Sequence, residues 1–177
     1  NISGPIGWRL RHYHYHKDFK EIGKRVSFSE SSYIRGAKNI SIGNDVGFGI
    51  FTQIYCDEEN DGGEILIGTD CNFNSNVIIN ADNGGKIEIG DNVIIGPNVV
   101  FRASNHNYDI SNSPTRYQGH KSGKIIIENN VWIGANVVIL PNVRVSEGSV
   151  IAAGSVINKD IPKKKIAGGV PAKIIRS

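Results

Sequence analysis

Aliphatic residues recur at every sixth position through the C-terminal third of the chain: Ile127, Ile133, Ile139, Val145, Ile151 and Ile157. Four places after the first five of these stand Val131, Val137, Val143, Ser149 and Ser155, so each hexad carries a large apolar residue and a small or β-branched one. The hexad returns upstream as Ile89, Ile95 and Phe101, as Ile67, Phe73 and Ile79, and as Ile42, Phe48 and Ile54. A helix requires a period of about 3.6 and a lone strand a period of about 2, so neither explains an unbroken six. Short strands joined by corners do, and three of them per turn give a coil of 18 residues whose apolar positions stack in columns. The pattern predicts an all-β solenoid, a parallel β-helix, over residues 26–160.

The breaks in the pattern carry as much information as the repeat. Extra residues enter only between Ile54 and Ile67, between Ile79 and Ile89, and between Phe101 and Ile127, each time after a group of three hexads. All three therefore leave the prism at the same corner and stack along one edge, with the longest loop at about residues 102–124. Loops on a rigid scaffold are where function concentrates. A passive solenoid with a flat adhesive face would not spend its extra residues on irregular loops containing His, Asp and Asn.

The flanks lack the hexad. Residues 1–25 form an N-terminal segment in which Ile6, Leu10, Tyr13, Phe19 and Ile22 recur at rough helical spacing among Arg, Lys and His. Two roles fit it: a helical cap over the open end of the coil, which solenoids require, or a helix lying weakly on a membrane surface. Residues 161–177 form a tail expected to leave the coil and pack back along it.

Composition narrows the classes. A length of 177 residues suits one domain with a continuous core, and the 21 Gly suit many tight corners. The net charge of +3 is spread along the chain, with its one dense run at Lys163, Lys164 and Lys165, which argues against nucleic acid as a partner. Cys56 and Cys71 match neither a zinc spacing nor a disulfide framework, so a reducing, cytoplasmic setting is expected. No apolar run reaches the length of a membrane span.

The hexads, together with Asn105–His106, Asn130–Val131–Trp132–Ile133–Gly134, Ala153–Gly154–Ser155 and Gly169–Val170–Pro171–Ala172, resemble the hexapeptide-repeat acyltransferases. Within that family the similarity is greatest to the galactoside and maltose O-acetyltransferases and to the O-acetyltransferases of bacterial surface polysaccharide. The resemblance implies a left-handed coil, a homotrimer, and acetyl-CoA as co-substrate in the groove between neighbouring subunits. It implies acetyl transfer to a sugar hydroxyl and no required metal.

An alcohol attacking a thioester must lose its proton as the new bond forms, and imidazole titrates near enough to neutrality to take it. His106 stands early in the longest loop, and the resemblance makes it the general base, with its second ring nitrogen expected to meet a carbonyl or carboxylate. The resemblance places Asn72 and Asn80 at the acceptor; the second of these is acidic in the sugar acetyltransferases, so Asp82 is expected to supply the missing carboxylate. An alternative role for the two asparagines is to occupy left-handed corner angles. Trp132 precedes an inward Ile133 and should point outward, toward a subunit interface or ligand groove. Ala135 and Ala153 match positions along the pantetheine arm of CoA, and Lys159, Lys173 and Arg176 match its phosphate contacts. Asn158 stands where those enzymes often carry threonine, a departure at the adenine end.

Three further readings are weighed on residues. An N-acetyltransferase acting on an amino sugar or nucleotide sugar would share fold, donor and base. A zinc hydratase would need three histidines, two of them on the coil; His120 shares the loop with His106, but the coil itself carries none, and His12, His14 and His16 lie on the N-terminal flank. Cys71, at the fifth place of a hexad, should face inward, while Cys56 lies on the first insertion and could approach the cleft.

Overall fold

A computed structural model describes residues 4–57, 62–109 and 113–176, except for the side chains of residues 5, 8, 12 and 14. The chain winds into a left-handed, three-sided parallel solenoid of about six turns. The first face stacks Glu21–Ile22, Ile40–Ile42, Glu64–Ile67, Lys86–Ile89, Lys124–Ile127 and Val143–Val145. The second stacks Ser27–Phe28, Gly47–Phe48, Asn72–Phe73, Ile94–Ile95, Trp132–Ile133 and Val150–Ile151, then two terminal strands. The third stacks Tyr33–Arg35, Gln53–Tyr55, Ile78–Asn80, Val100–Arg102, Val138–Ile139 and Val156–Ile157. Registers follow the hexad: Ile95 lies between Phe73 and Ile133, and Phe101 between Ile79 and Ile139.

Both apolar places of the hexad point inward. The large hexad residues from Ile42 to Ile157 and the smaller Val131, Val137, Val143, Ser149 and Ser155 are all buried. Toward the N-terminal end the second-face column is aromatic: Phe28, Phe48 and Phe73 stack with ring centroids 4.9 and 4.8 Å apart, close to the roughly 4.8 Å spacing of paired strands. Stacking in register keeps these rings in contact from one level to the next, so this part of the core is a column.

Corners turn on residues in the left-handed region. Asp45, Asp70, Asn92 and Asn130 do this between the first and second faces, and Asn76, Asn98 and Asn136 between the second and third, all with φ between 57 and 59°. Short polar side chains tolerate that conformation, and here they also join the coils: Asn76 Nδ2 donates to Asn98 Oδ1, and Asn98 Nδ2 to Asn136 Oδ1, both at 2.9 Å. At some corner places the coils approach too closely for a side chain. A Cβ on Gly134 would lie 2.7 Å from the Ala153 nitrogen.

The three insertions leave the third–first corner, one above another, as the spacing predicts. Residues 58–61 of the first lie outside the described residues. The second is a short turn over residues 81–85, and the third an antiparallel hairpin of Ser104–His106 with His120–Ser122, whose residues 110–112 are likewise undescribed.

The flanks depart from expectation in two ways. A helix, α1 (Gly4–Tyr15), covers the open end, with Tyr15 edge-on to Phe28 at 5.6 Å and Arg11 Nε donating to the Phe28 carbonyl at 2.7 Å. The first coil strand already forms at Glu21–Ile22, inside the segment read as a cap. At the other end the tail does not fold back along the coil but extends it. Ile161 bridges Val145, Ile166–Gly169 adds a parallel strand to Val150–Ile151, and Ala172–Arg176 closes the second face antiparallel. The continuation was hidden because Val145 pairs with Ile161 and Ile151 with Ala167, 16 residues instead of 18, and because Ala167 is small.

Candidate functional site

The projecting hairpin brings two imidazoles together. His106 and His120 are directly opposed in its ladder, on one side of the ribbon, with ring centroids 4.0 Å apart and planes tilted by 40°. Gln118 pins the loop from within: its side-chain oxygen accepts from the Asp109 N–H at 2.9 Å, and its carbonyl oxygen accepts from Asn107 Nδ2 at 2.9 Å. His106 is exposed and borders an open cavity of about 580 Å³, along with Tyr108, Asp109, Lys121, Pro141 and Asn142. The carbonyl or carboxylate expected on its second ring nitrogen is not found: among the described residues its ring meets His120 and no hydrogen-bond partner. The ring is exposed on a ribbon that leaves the coil.

One coil below, on the same edge, lies a polar cluster. Arg35 Nη2 donates to Asp82 Oδ2 at 2.5 Å and lies 3.6 Å from Asp57 Oδ1. Asn80 holds Asp82 from the other side, its Oδ1 accepting the Asp82 N–H at 3.0 Å. Asp82 keeps Oδ1 buried without a partner, and so does Ser104 with its hydroxyl, one level above it. Asp82 is thus held by Arg35 with one carboxylate oxygen uncommitted. Neither Asn72 nor Asn80 has a left-handed backbone, so corner geometry does not explain them. Above the hairpin the edge continues through Pro141 and Asn142 to Asn158 and Lys159, both exposed.

The remaining candidates lie elsewhere on the prism. Asn72 and Trp132 point outward from the second face, with Ile94 between them; Ile94 is 55% and Trp132 54% exposed. Ala135 and Ala153 occupy successive levels of the second–third corner, where the Gly154 N–H donates to the Ala135 carbonyl at 2.8 Å. Lys173 and Arg176 are exposed on the terminal strand of the second face. In a triangular cross-section the third–first corner lies opposite the second face. One chain therefore brings together His106, Asn80, Asp82, Asn158 and Lys159, and separately Asn72, Trp132, Ala135, Ala153, Lys173 and Arg176.

Sequence reasoning missed Arg35, Arg102 and Ser104, and considered His120 only as a metal ligand. A signal existed for the arginines: Arg35, Tyr55, Asn80 and Arg102 take one register place on successive coils. Cys56 is fully buried and directed at the Asn39 carbonyl, so it does not approach the cleft. Cys71 is buried as expected, and burial pushes its thiol pKa up to about 11. Among the described residues no three His, Cys, Asp or Glu side chains are placed to hold a metal ion.

The sequence pattern of the bacterial transferase hexapeptide family (six repeats) matches residues 124–159. A hexapeptide-repeat-containing acetyltransferase of Vibrio cholerae, solved with acetyl coenzyme A, is 30% identical over 96% of this chain and 76% of its own, with a TM-score of 0.67. The chain belongs to the hexapeptide-repeat transferase family. AntD, an N-acyltransferase of Bacillus cereus solved with dTDP and coenzyme A, superposes with a TM-score of 0.81 at 26% identity over 94% of this chain and 88% of its own. Galactoside O-acetyltransferase of Escherichia coli is 35% identical over 79 residues, 42% of this chain and 39% of that enzyme. The match thus spans about two fifths of that curated relative.

Proposed function

We propose that this protein is an acetyl-CoA-dependent O-acetyltransferase that acetylates a sugar hydroxyl in bacterial polysaccharide or oligosaccharide, with its active sites at the subunit boundaries of a homotrimer. The observation that carries this reading is the division of the candidate residues between an edge and the face opposite it. A cyclic assembly joins unlike surfaces of successive copies, so the His106 edge of one subunit can meet the Trp132 face of the next.

At such a seam the acceptor hydroxyl attacks the thioester carbonyl while His106 takes its proton. The C–O bond forms, the tetrahedral oxyanion collapses, the C–S bond breaks, and the CoA thiolate leaves and is reprotonated from the imidazolium. The donor is already activated, so no acyl-enzyme is needed. Asn72, Asn80 and the uncommitted oxygen of Asp82 address the acceptor. Trp132, Ala135 and Ala153 line the pantetheine, and Asn158, Lys159, Lys173 and Arg176 take the nucleotide end. The three cations suit phosphates because all are exposed and none forms an ion pair among the described residues.

The likeness to an N-acyltransferase over nearly the whole chain favours a second reading, transfer to the amine of an amino sugar or nucleotide sugar. Mild alkali separates the two, since it cleaves an ester product and spares an amide. The test of the main reading is thiol release from acetyl-CoA with a panel of sugars. His106→Ala should lower the rate by roughly a hundredfold or more, and survival of the rate would overturn the assignment of base. Ala153→Trp, which blocks an exposed corner, should also inactivate. Co-assembling the two inactive variants in equal amounts should restore about a quarter of the sites, because each seam draws its hairpin and its face from different copies. No recovery would overturn the intersubunit site.

A further inference from the structure

The apolar stripe of α1 is turned the wrong way for a simple cap. Gly7, Arg11 and Tyr15 face the coil: Gly7 is buried, and Arg11 and Tyr15 are half-buried against Phe28. Ile6, Leu10 and Tyr13 fall together on the opposite side, at the spacing of one helical stripe, and they are 69%, 52% and 70% exposed. Three large apolar side chains in a row facing water form a patch of the size that often serves as a contact surface.

The charges beside them indicate its partner. Arg9 and Lys17 flank the stripe, Lys17 lies 5.4 Å above the Tyr13 ring, and α1 contains no acidic residue, the nearest in sequence being the exposed Asp18 in the turn after it. Three side chains offer at most a few hundred square ångströms, below the roughly 800 Å² per partner of a stable protein interface. A second copy would also bring cation against cation. A lipid surface requires no shape complementarity. Anionic headgroups would take the cations while the three side chains enter the acyl boundary.

We infer that α1 is a bifunctional element, a cap on its inner side and, on its outer side, a reversible dock for an anionic lipid bilayer. No helix among the described residues is long and apolar enough to cross a membrane, and the strength of docking through α1 rests on electrostatics as much as on insertion. Repeated copies in one assembly would strengthen it through avidity.

The test is co-sedimentation of the full chain with large unilamellar vesicles of phosphatidylcholine alone, or with about one third phosphatidylglycerol, a proportion high enough for each basic residue to contribute measurably. Binding should appear only with the anionic lipid and fall at least several-fold as salt shortens the screening length to a few ångströms. Leu10→Glu with Ile6→Glu should abolish it, and Arg9→Glu with Lys17→Glu should weaken it to a comparable degree. Both pairs should leave thermal unfolding and acetyl-CoA thiol release with a soluble acceptor unchanged, since none of the four residues belongs to the proposed site. Binding that is equal on neutral vesicles, absent on anionic ones, or indifferent to Leu10→Glu with Ile6→Glu would overturn the inference. So would a change of oligomeric state in that variant without a loss of lipid binding, which would make the stripe an interface between copies.

Discussion

The coil interior and the projecting hairpin are built on opposite terms: one repeats at every level, and the other carries the proposed base. Around Phe48 every level repeats the one below, ring on ring, and the side chains see no water. Around His106 nothing repeats: the ribbon is polar and exposed beyond Ser104, and apart from its backbone ladder it is held by a few side-chain hydrogen bonds centred on Gln118. Columns fix the fold with redundancy, and that redundancy is what lets an unrepeated loop carry a reactive group at little cost to the scaffold.

The largest expected effect lies in the columns. Phe48→Ala opens a void between Phe28 and Phe73 and should cost about 3–5 kcal/mol of unfolding free energy, measured by urea denaturation. His106→Ala should leave the same midpoint unmoved while removing turnover. If the Phe48 substitution proved mild, the aromatic stack would not be the structural spine of the N-terminal coils. If the His106 substitution unfolded the protein, stability and chemistry would not be separable.

A smaller effect tests the hairpin itself. His120 touches His106 ring to ring, so removing it should loosen the proposed base without removing it. His120→Ala should reduce kcat roughly three- to tenfold and leave KM for acetyl-CoA alone, well short of the ~100-fold penalty of a misplaced catalytic group. His120→Phe, which keeps a ring to stack upon, should recover most of the loss. A drop that Phe fails to rescue would mean His120 acts through its nitrogens, and the comparison would then set one catalytic imidazole against two.

The same contrast explains what the sequence disclosed. The coil was legible because burial imposes a strict period: Ile127 to Ile157 cannot move by one place without facing water. The shared corner of the insertions followed from counting hexads, and the outward Trp132 from its place before Ile133. Where the period slipped, at Ile161 and Ala167, the last strand of the coil was missed. The pairing of His106 with His120 depended on an antiparallel register inside a loop, and hairpin register is set by turn geometry that no hexad constrains. The grip of Arg35 on Asp82 joins residues 47 apart, brought together only once the coils stack. The direction of the apolar stripe on α1 likewise depended on which side Gly7 presents to Phe28.

The smallest effect concerns Cys71, one of the two thiols buried in the core along with Cys56. Cys71 donates its thiol hydrogen to the Gly90 carbonyl, with Sγ 3.1 Å from the oxygen, and burial holds its pKa at about 11, above the usual range for an unfolded chain. A raised folded-state pKa means the native form keeps its proton longer, so this contribution to stability is complete below about pH 8.5 and drains away as pH rises toward 11. Wild-type protein should therefore lose on the order of 1 kcal/mol more than Cys71→Ala between pH 8 and pH 10, as read by chemical denaturation at each pH. Over that range the native thiol should stay unreactive toward a disulfide reagent until the chain unfolds, because the thiolate is the reactive form. Rapid native-state labelling at pH 8 would mean the coil opens locally at Cys71. The interior would then no longer be the inert half of the molecule, and the hairpin would lose its claim to be where reactive chemistry is confined.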